Sequence, residues 1–140
     1  DLRGNHFVVT GANTGIGYAT ARELARMGAK VTLACRSEER GRADIEKLRS
    51  QAPEKPVKEV EILDLGSLQF VIDCAKRLRK SGTKIDVLIN SAGIYAIPER
   101  KETMDGFEQQ IGVNHFGHHL LTRLLEPLIM DGGRVIFLST

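Results

Sequence analysis

The chain has 140 residues, 41% hydrophobic and 27% charged, with 20 basic and 18 acidic side chains and a formal charge of +2. That length suits one domain of ordinary globular composition, and the scattered charges give no basic block of the kind that binds nucleic acid or an anionic membrane. Cys35 and Cys74 lie in separate apolar segments and form no metal-spaced pair, so they read as reduced, buried thiols of a cytosol-facing compartment. No apolar run reaches the roughly 18 residues that span a bilayer.

The elements alternate between short β-branched runs and longer amphipathic segments. His6–Thr10 reads as a buried strand, Gly11–Gly17 as a glycine-rich turn, and Ile16–Met27 as a helix closed by Gly28. Lys30–Cys35 is a second strand, and Glu38–Ser50 is a charged helix with Ile45 and Leu48 on one face. Val57–Leu63 is a third strand. Ser67 is the N-cap of a helix to about Arg79 that turns Leu68, Val71, Ile72, Ala75 and Leu78 to a sheet. Ile85–Ile89 is a fourth strand ending at the turn Asn90-Ser91-Ala92-Gly93, and Tyr95–Asp105 is an irregular connection. Phe107–Met130 reads as one long helix, frayed by Pro127 and ended by Gly132-Gly133, before a fifth strand Arg134–Leu138. Strands separated by helical crossovers imply an α/β, Rossmann-type doubly wound parallel sheet with helices on both faces.

Thr10-Gly11-Ala12-Asn13-Thr14-Gly15-Ile16-Gly17 lies between a strand and a helix. There, glycines let the backbone turn tightly and approach phosphates, while the helix N-terminus offers free N–H groups. No Gly-Lys-Ser/Thr follows, so this is not an ATP-type phosphate loop. At the end of the second strand, folds that bind the unphosphorylated cofactor place an acid on the ribose hydroxyls. Here Cys35 is followed by Arg36, whose guanidinium fork suits a 2′-phosphate, with Arg40 one turn on; the pattern favours NADP over NAD. The alternative for Arg36 is a solvated charge at a helix entry. Asp64-Leu65 and Asn90–Gly93 fall at the carboxyl edge of the sheet, where open α/β folds bind ligands; Asp64 serves equally well as a helix cap. His115 and His119 stand one helical turn apart with no acidic third ligand nearby, so with His118 they read as packing or surface residues and no metal is expected.

Together TGANTGIG, the Asp64-Leu65 pair, the NSAG turn and Val113-Asn114-His115 resemble the classical short-chain dehydrogenase/reductase family, in the right order along the whole chain. CRS after the second strand and GVNHFGHHLLTRLL in the long helix resemble its retinol dehydrogenase-like branch. The resemblance implies that Gly11, Asn13, Thr14, Gly15, Ile16 and Gly17 wrap a pyrophosphate, and that Arg36, with Ser37 beside it, takes the 2′-phosphate. It implies that Asp64 and Leu65 flank adenine, and that Asn90, Ala92 and Gly93 line the nicotinamide ribose. Asn114 would be the catalytic asparagine, whose main chain orders a proton-relay water.

The family's substrate-polarising serine falls at Thr140, with Ser139 in its place if the register slips by one. Its Tyr-x-x-x-Lys pair is absent: Tyr18 has Arg22 four positions on, and Tyr95 has Glu99. Residues 1–140 therefore read as a single dinucleotide-binding domain, the first five strands of a longer sheet, truncated before the catalytic dyad. The complete protein would exchange hydride between NADP(H) and an alcohol or carbonyl substrate of retinoid-, steroid- or lipid-like character. Membrane anchoring through segments outside this region and a homodimer or larger assembly are compatible with it, and subcellular location is left open. The competing reading is a non-catalytic structural subunit that keeps the fold.

Overall fold

The computed structural model describes residues 1–51 and 57–139, with the backbone alone at 57 and 58. Five strands, β1 (His6–Thr10), β2 (Lys30–Cys35), β3 (Val57–Ile62), β4 (Ile85–Asn90) and β5 (Ile129–Phe137), form one sheet. Every pairing is parallel, and the order is β3-β2-β1-β4-β5. Strand order reverses between β1 and β4, which opens a crevice at their carboxyl ends.

The central strands show no polar alternation because helices cover both faces. Phe7 and Val9 pack with Val31 and Leu33 against Ala21 and Ala25 of α1 (Gly15–Arg26) and Ile45 and Leu48 of α2 (Glu38–Gln51). Val8, between them, packs on the opposite face with Leu88, against Val71, Ala75 and Leu78 of α3 (Leu68–Lys80) and Leu121 and Leu125 of α5 (His118–Leu125). Successive residues of one strand thus anchor opposite helical layers, which is the doubly wound arrangement. Both cysteines are buried. Burial pushes the Cys74 thiol up to about 12 and also raises that of Cys35, so both stay protonated and inert.

The elements to α3 lie where the sequence puts them. Gly28 closes α1 with a left-handed φ of +95°, and the Ser67 hydroxyl caps α3 by accepting from the Phe70 N–H. Cys74 is buried on the α3 face, whereas Ile72 is only partly covered. The long helix expected over 107–130 is instead broken. A single turn, α4 (Gln109–Ile111), leads into a π-helical segment, Gly112–Gly117, then α5, then a 3₁₀ turn, Glu126–Leu128. The π segment ends at Gly117, where any Cβ would lie 2.6 Å from the Leu65 carbonyl oxygen; this contact holds the segment against the end of β3.

Pro127 sits in the 3₁₀ turn, and Ile129 is already extended (φ −75°, ψ 126°). β5 therefore begins five residues before Arg134, and Gly132-Gly133 form an irregularity inside the strand rather than a helix stop. Ile85 pairs with Ile129 but Val87 with Arg134, and Gly132 takes a φ of +78° that spaces the extra residues. β5, one of the two edge strands, leaves Ile136 and Phe137 exposed, and Leu138 just beyond it is exposed too.

His6 locks the amino edge. Its Nδ1 lies 2.7 Å from the Lys84 carbonyl and its Nε2 2.8 Å from the Thr32 hydroxyl, while its backbone N–H donates to Asp86. A carbonyl only accepts, so Nδ1 carries the hydrogen and Nε2 accepts from Thr32. Burial lowers the pKa of His6 and of His118 below the ordinary value. The unfolded chain takes up these protons at about pH 6.5 and the folded chain only at lower pH. Stability is therefore fully present above about pH 6.5 and falls as pH drops through the lowered folded values. Urea midpoints measured between pH 8 and pH 5 should decline in that window, and His6→Gln should flatten the decline; a wild-type profile as flat as the variant's would refute the assignment.

Candidate functional site

The carboxyl ends of the strands are knitted together by main-chain bonds. The Gly11 N–H donates to the Ala34 carbonyl, the Leu63 N–H to the Cys35 carbonyl, and the Leu138 N–H to the Asn90 carbonyl. At the centre of this edge is Thr10, completely buried. Its hydroxyl accepts from the Ser91 and Ala92 N–H groups, each at 3.0 Å, and lies 2.8 Å from His118 Nε2. β1, the turn after β4 and the helical layer therefore meet at one oxygen.

From Thr10 the chain enters the glycine turn at a left-handed φ of +63° at Gly11. A Cβ at Gly11 would meet the Ala92 Cα at 2.7 Å, and one at Gly17 would meet the Gly11 carbonyl oxygen at 2.3 Å. These two contacts fold the turn flat against the start of α1 and the NSAG turn. Nothing lies within 4 Å of a Cβ position on Gly15, so that side of the turn is open, and Thr14, Gly15 and Ile16 are exposed.

The start of α1 differs from the other capped starts. Thr14 is the N-cap residue, yet its side chain makes no capping bond, and the first turn carries no acidic residue. By contrast Ser67 caps α3, and the Glu108 carboxylate accepts from the Gln110 and Ile111 N–H groups, bonds that lower its pKa. The leading N–H groups of α1 thus have no side-chain acceptor and face the crevice at the strand-order reversal, an arrangement suited to an anion.

Arg36 is exposed directly after β2, and no ion pair is formed by it among the described residues. Ser37 immediately precedes α2, its hydroxyl accepting from the Arg40 N–H and its carbonyl from the Gly41 N–H. No carboxylate follows β2 until Glu38, the first residue of α2. Asp64 Oδ1 accepts from the Gly66 N–H, so it shapes its own turn and leaves the capping of α3 to Ser67. The Leu65 side chain is buried in the core, and its carbonyl packs against Gly117. Ala92 and Gly93 line the same edge.

Asn90 ends β4 with its side chain turned inward. Its side chain is buried, with Nδ2 donating to the Thr122 hydroxyl at 3.0 Å, and its main-chain carbonyl accepts from Leu138; it braces β4 against α5 and β5, while its Oδ1 has no hydrogen-bond partner among the described residues. Asn114, in the π segment, holds the loop after the NSAG turn: Oδ1 accepts from the Ile94 N–H at 2.9 Å and Nδ2 donates to the Ile94 carbonyl at 2.8 Å. Ser139 is exposed just beyond β5, and Thr140 lies outside the described residues. His118, expected as packing or surface, is buried and hydrogen-bonded at both ring nitrogens. Its partner Thr10 is 108 positions away, so no local pattern could have revealed it. Among the described residues no three His, Cys, Asp or Glu side chains gather as metal ligands, and no helix is long and apolar enough to cross a membrane.

Comparisons with known proteins agree with this geometry. The family model for short chain dehydrogenases matches residues 5–140. A short chain dehydrogenase/reductase of Colletotrichum higginsianum is 46% identical over 131 residues, covering 92% of this chain and 32% of that protein. Mouse retinol dehydrogenase 12 is 43% identical over 141 residues, covering 99% of this chain and 44% of the relative. The chain thus spans less than half the length of these relatives. A protein of Escherichia coli CFT073, described as a short chain dehydrogenase and solved in complex with NADPH, superposes with a TM-score of 0.82 at 28% identity, over 99% of this chain and 60% of that one.

The contact between Gly17 and Gly11 yields a direct test. A methyl group at Gly17 forces two backbone segments apart, and overpacking of this kind costs about 1–3 kcal/mol or more. Gly17→Ala should lower the urea midpoint by a corresponding amount; an unchanged midpoint would show that the turn is looser than its geometry indicates.

Proposed function

This chain belongs to the short-chain dehydrogenase family, and from that premise we propose that it is the dinucleotide-binding part of an NADP-dependent oxidoreductase acting on an alcohol or carbonyl substrate. The observation that carries the reading is the uncapped, carboxylate-free start of α1, set behind the Gly11–Gly17 turn at the strand-order reversal, with Arg36 exposed at the neighbouring strand end and without an ion pair among the described residues. In this reading the N–H groups of the turn and of α1 receive the pyrophosphate, helped by the positive end of the helix. The Arg36 guanidinium receives the 2′-phosphate with paired charge-assisted bonds, Ser37 adds a hydroxyl beside it, and Asp64 and the Leu65 backbone border the adenine. Ala92 and Gly93, small and held by Thr10, let the main chain approach the nicotinamide ribose.

When bound, the nicotinamide supplies or accepts the hydride. What the protein adds is alignment and polar groups. Asn114 holds Ile94 with both ends of its side-chain amide, and the hydroxyl of Ser139 or Thr140 would polarise the substrate oxygen. A proton donor completes such chemistry, and neither Tyr18 nor Tyr95 has a lysine four positions on to serve it. The curated relatives named as retinol dehydrogenases, human and mouse, support a retinoid-like or similarly apolar alcohol or aldehyde for the whole protein.

The cofactor choice rests on Arg36. A hydrogen bond to a charged group contributes about 1.5–3 kcal/mol, or roughly 10- to 100-fold in affinity. Arg36→Asp should weaken NADPH binding by that factor and leave NADH nearly unchanged or tighter, as read by calorimetric titration. Equal weakening of both would remove Arg36 as the discriminating residue.

A further inference from the structure

The buried imidazole of His118 has no role in the reading above, yet it joins two parts of the proposed site. Nδ1 lies 3.1 Å from the Asn114 carbonyl oxygen. A carbonyl has no hydrogen to give, so Nδ1 must carry one. Nε2 lies 2.8 Å from Thr10 Oγ1. That hydroxyl already accepts from the Ser91 and Ala92 N–H groups, which occupy both of its lone pairs and leave its single hydrogen for Nε2. Every donor and acceptor in the chain Asn114–His118–Thr10–Ser91/Ala92 is satisfied by one arrangement, a neutral ring protonated on Nδ1. A doubly protonated ring would bring a third donor onto the Thr10 oxygen and leave the hydroxyl hydrogen without its acceptor. Burial favours the neutral ring as well.

The two ends of this relay matter separately. Through Thr10 the ring sets the Ser91–Gly93 turn, where the nicotinamide ribose would lie. Through Nδ1–H it fixes the direction of the Asn114 main chain, whose side chain clamps Ile94. We propose that His118 is a positioning residue for the hydride-transfer site, setting the ribose-side turn with Nε2 and the Asn114 carbonyl with Nδ1. This inference rests on the cofactor reading given above.

Two substitutions in the full-length protein separate the two halves. His118→Asn has a short amide that retains an N–H for the Asn114 carbonyl and loses the reach to Thr10. His118→Gln has a longer amide that reaches Thr10 with Oε1 and loses the bond to Asn114. NADPH affinity is measured by fluorescence titration, and turnover with all-trans-retinal as the carbonyl probe. One lost hydrogen bond corresponds to about a ten-fold effect: His118→Asn should raise the NADPH Kd about that much with kcat within about two-fold, and His118→Gln should lower kcat with Kd nearly unchanged. Two variants with the same profile, or with no change while the wild type binds NADPH, overturn the inference and leave the cofactor reading intact. A wild type that binds no NADPH overturns both. Should either variant fail to fold, long-range proton–nitrogen NMR of the wild-type imidazole decides the matter: a hydrogen on Nδ1 alone at pH 7 supports the relay, and one on Nε2 overturns it.

Discussion

The carboxyl edge of this sheet is organised around a hydroxyl that cannot reach water. Thr10 is wholly buried, and an unpaired hydroxyl there would cost about 1–3 kcal/mol. It is paired three times, to two backbone N–H groups of the turn after β4 and to an imidazole of the helical layer. Those bonds determine where the NSAG turn lies against the glycine turn, and the 2.7 Å approach of Gly11 to Ala92 leaves no room for an alternative. The crevice at the strand-order reversal has its shape because β1 and β4 are joined through one side-chain atom just beyond their last main-chain pairing.

Histidine does similar work at both ends of the sheet. His6 bridges a carbonyl and a threonine at the amino edge, and His118 bridges a carbonyl and a threonine at the carboxyl edge. Both rings are buried and neutral, so each acts as a rigid two-ended connector rather than as a charge. The helix starts divide in a complementary way. α3 and α4 have side-chain caps, which satisfy their leading N–H groups and add stability. α1 has none, so the local stability a cap would bring is forgone at the one helix start that faces the crevice. Exposed Arg36 and the open side of Gly15 lie on that same edge.

Much of this was legible in the sequence, for physical reasons. Strands buried on both faces are continuous apolar runs, so β1, β2 and β4 are visible from composition alone. Ser67 and Gly28 mark helix ends by the capping chemistry they supply. The turn from Thr10 to Gly17 is recognisable because only glycine tolerates its φ and its contacts. The region from 107 to 138 was misread where local pattern and tertiary contact disagree. Its apolar spacing suits one helix, but the contact of Gly117 with Leu65 favours a π turn there, and Pro127 with the Gly132 φ lets β5 begin early. Asn90 reads as a ligand by motif; the bond of its Nδ2 to Thr122, 32 positions on, is a tertiary contact that no local pattern shows. His118 was invisible as a connector because both of its bonds depend on which strand end the helix crosses.

The central claim is that an anionic dinucleotide occupies the crevice at the carboxyl ends of β1, β2 and β4. Amide chemical-shift mapping during NADPH titration tests it most directly. The account predicts that the largest changes fall on Gly11, Gly15, Ile16 and Gly17, with Arg36, Leu65, Ala92 and Gly93 following at the same ligand concentration. Changes confined to another surface, such as the shallow hollow lined by Arg22, Arg26 and Gln51, or no changes at all, would contradict it.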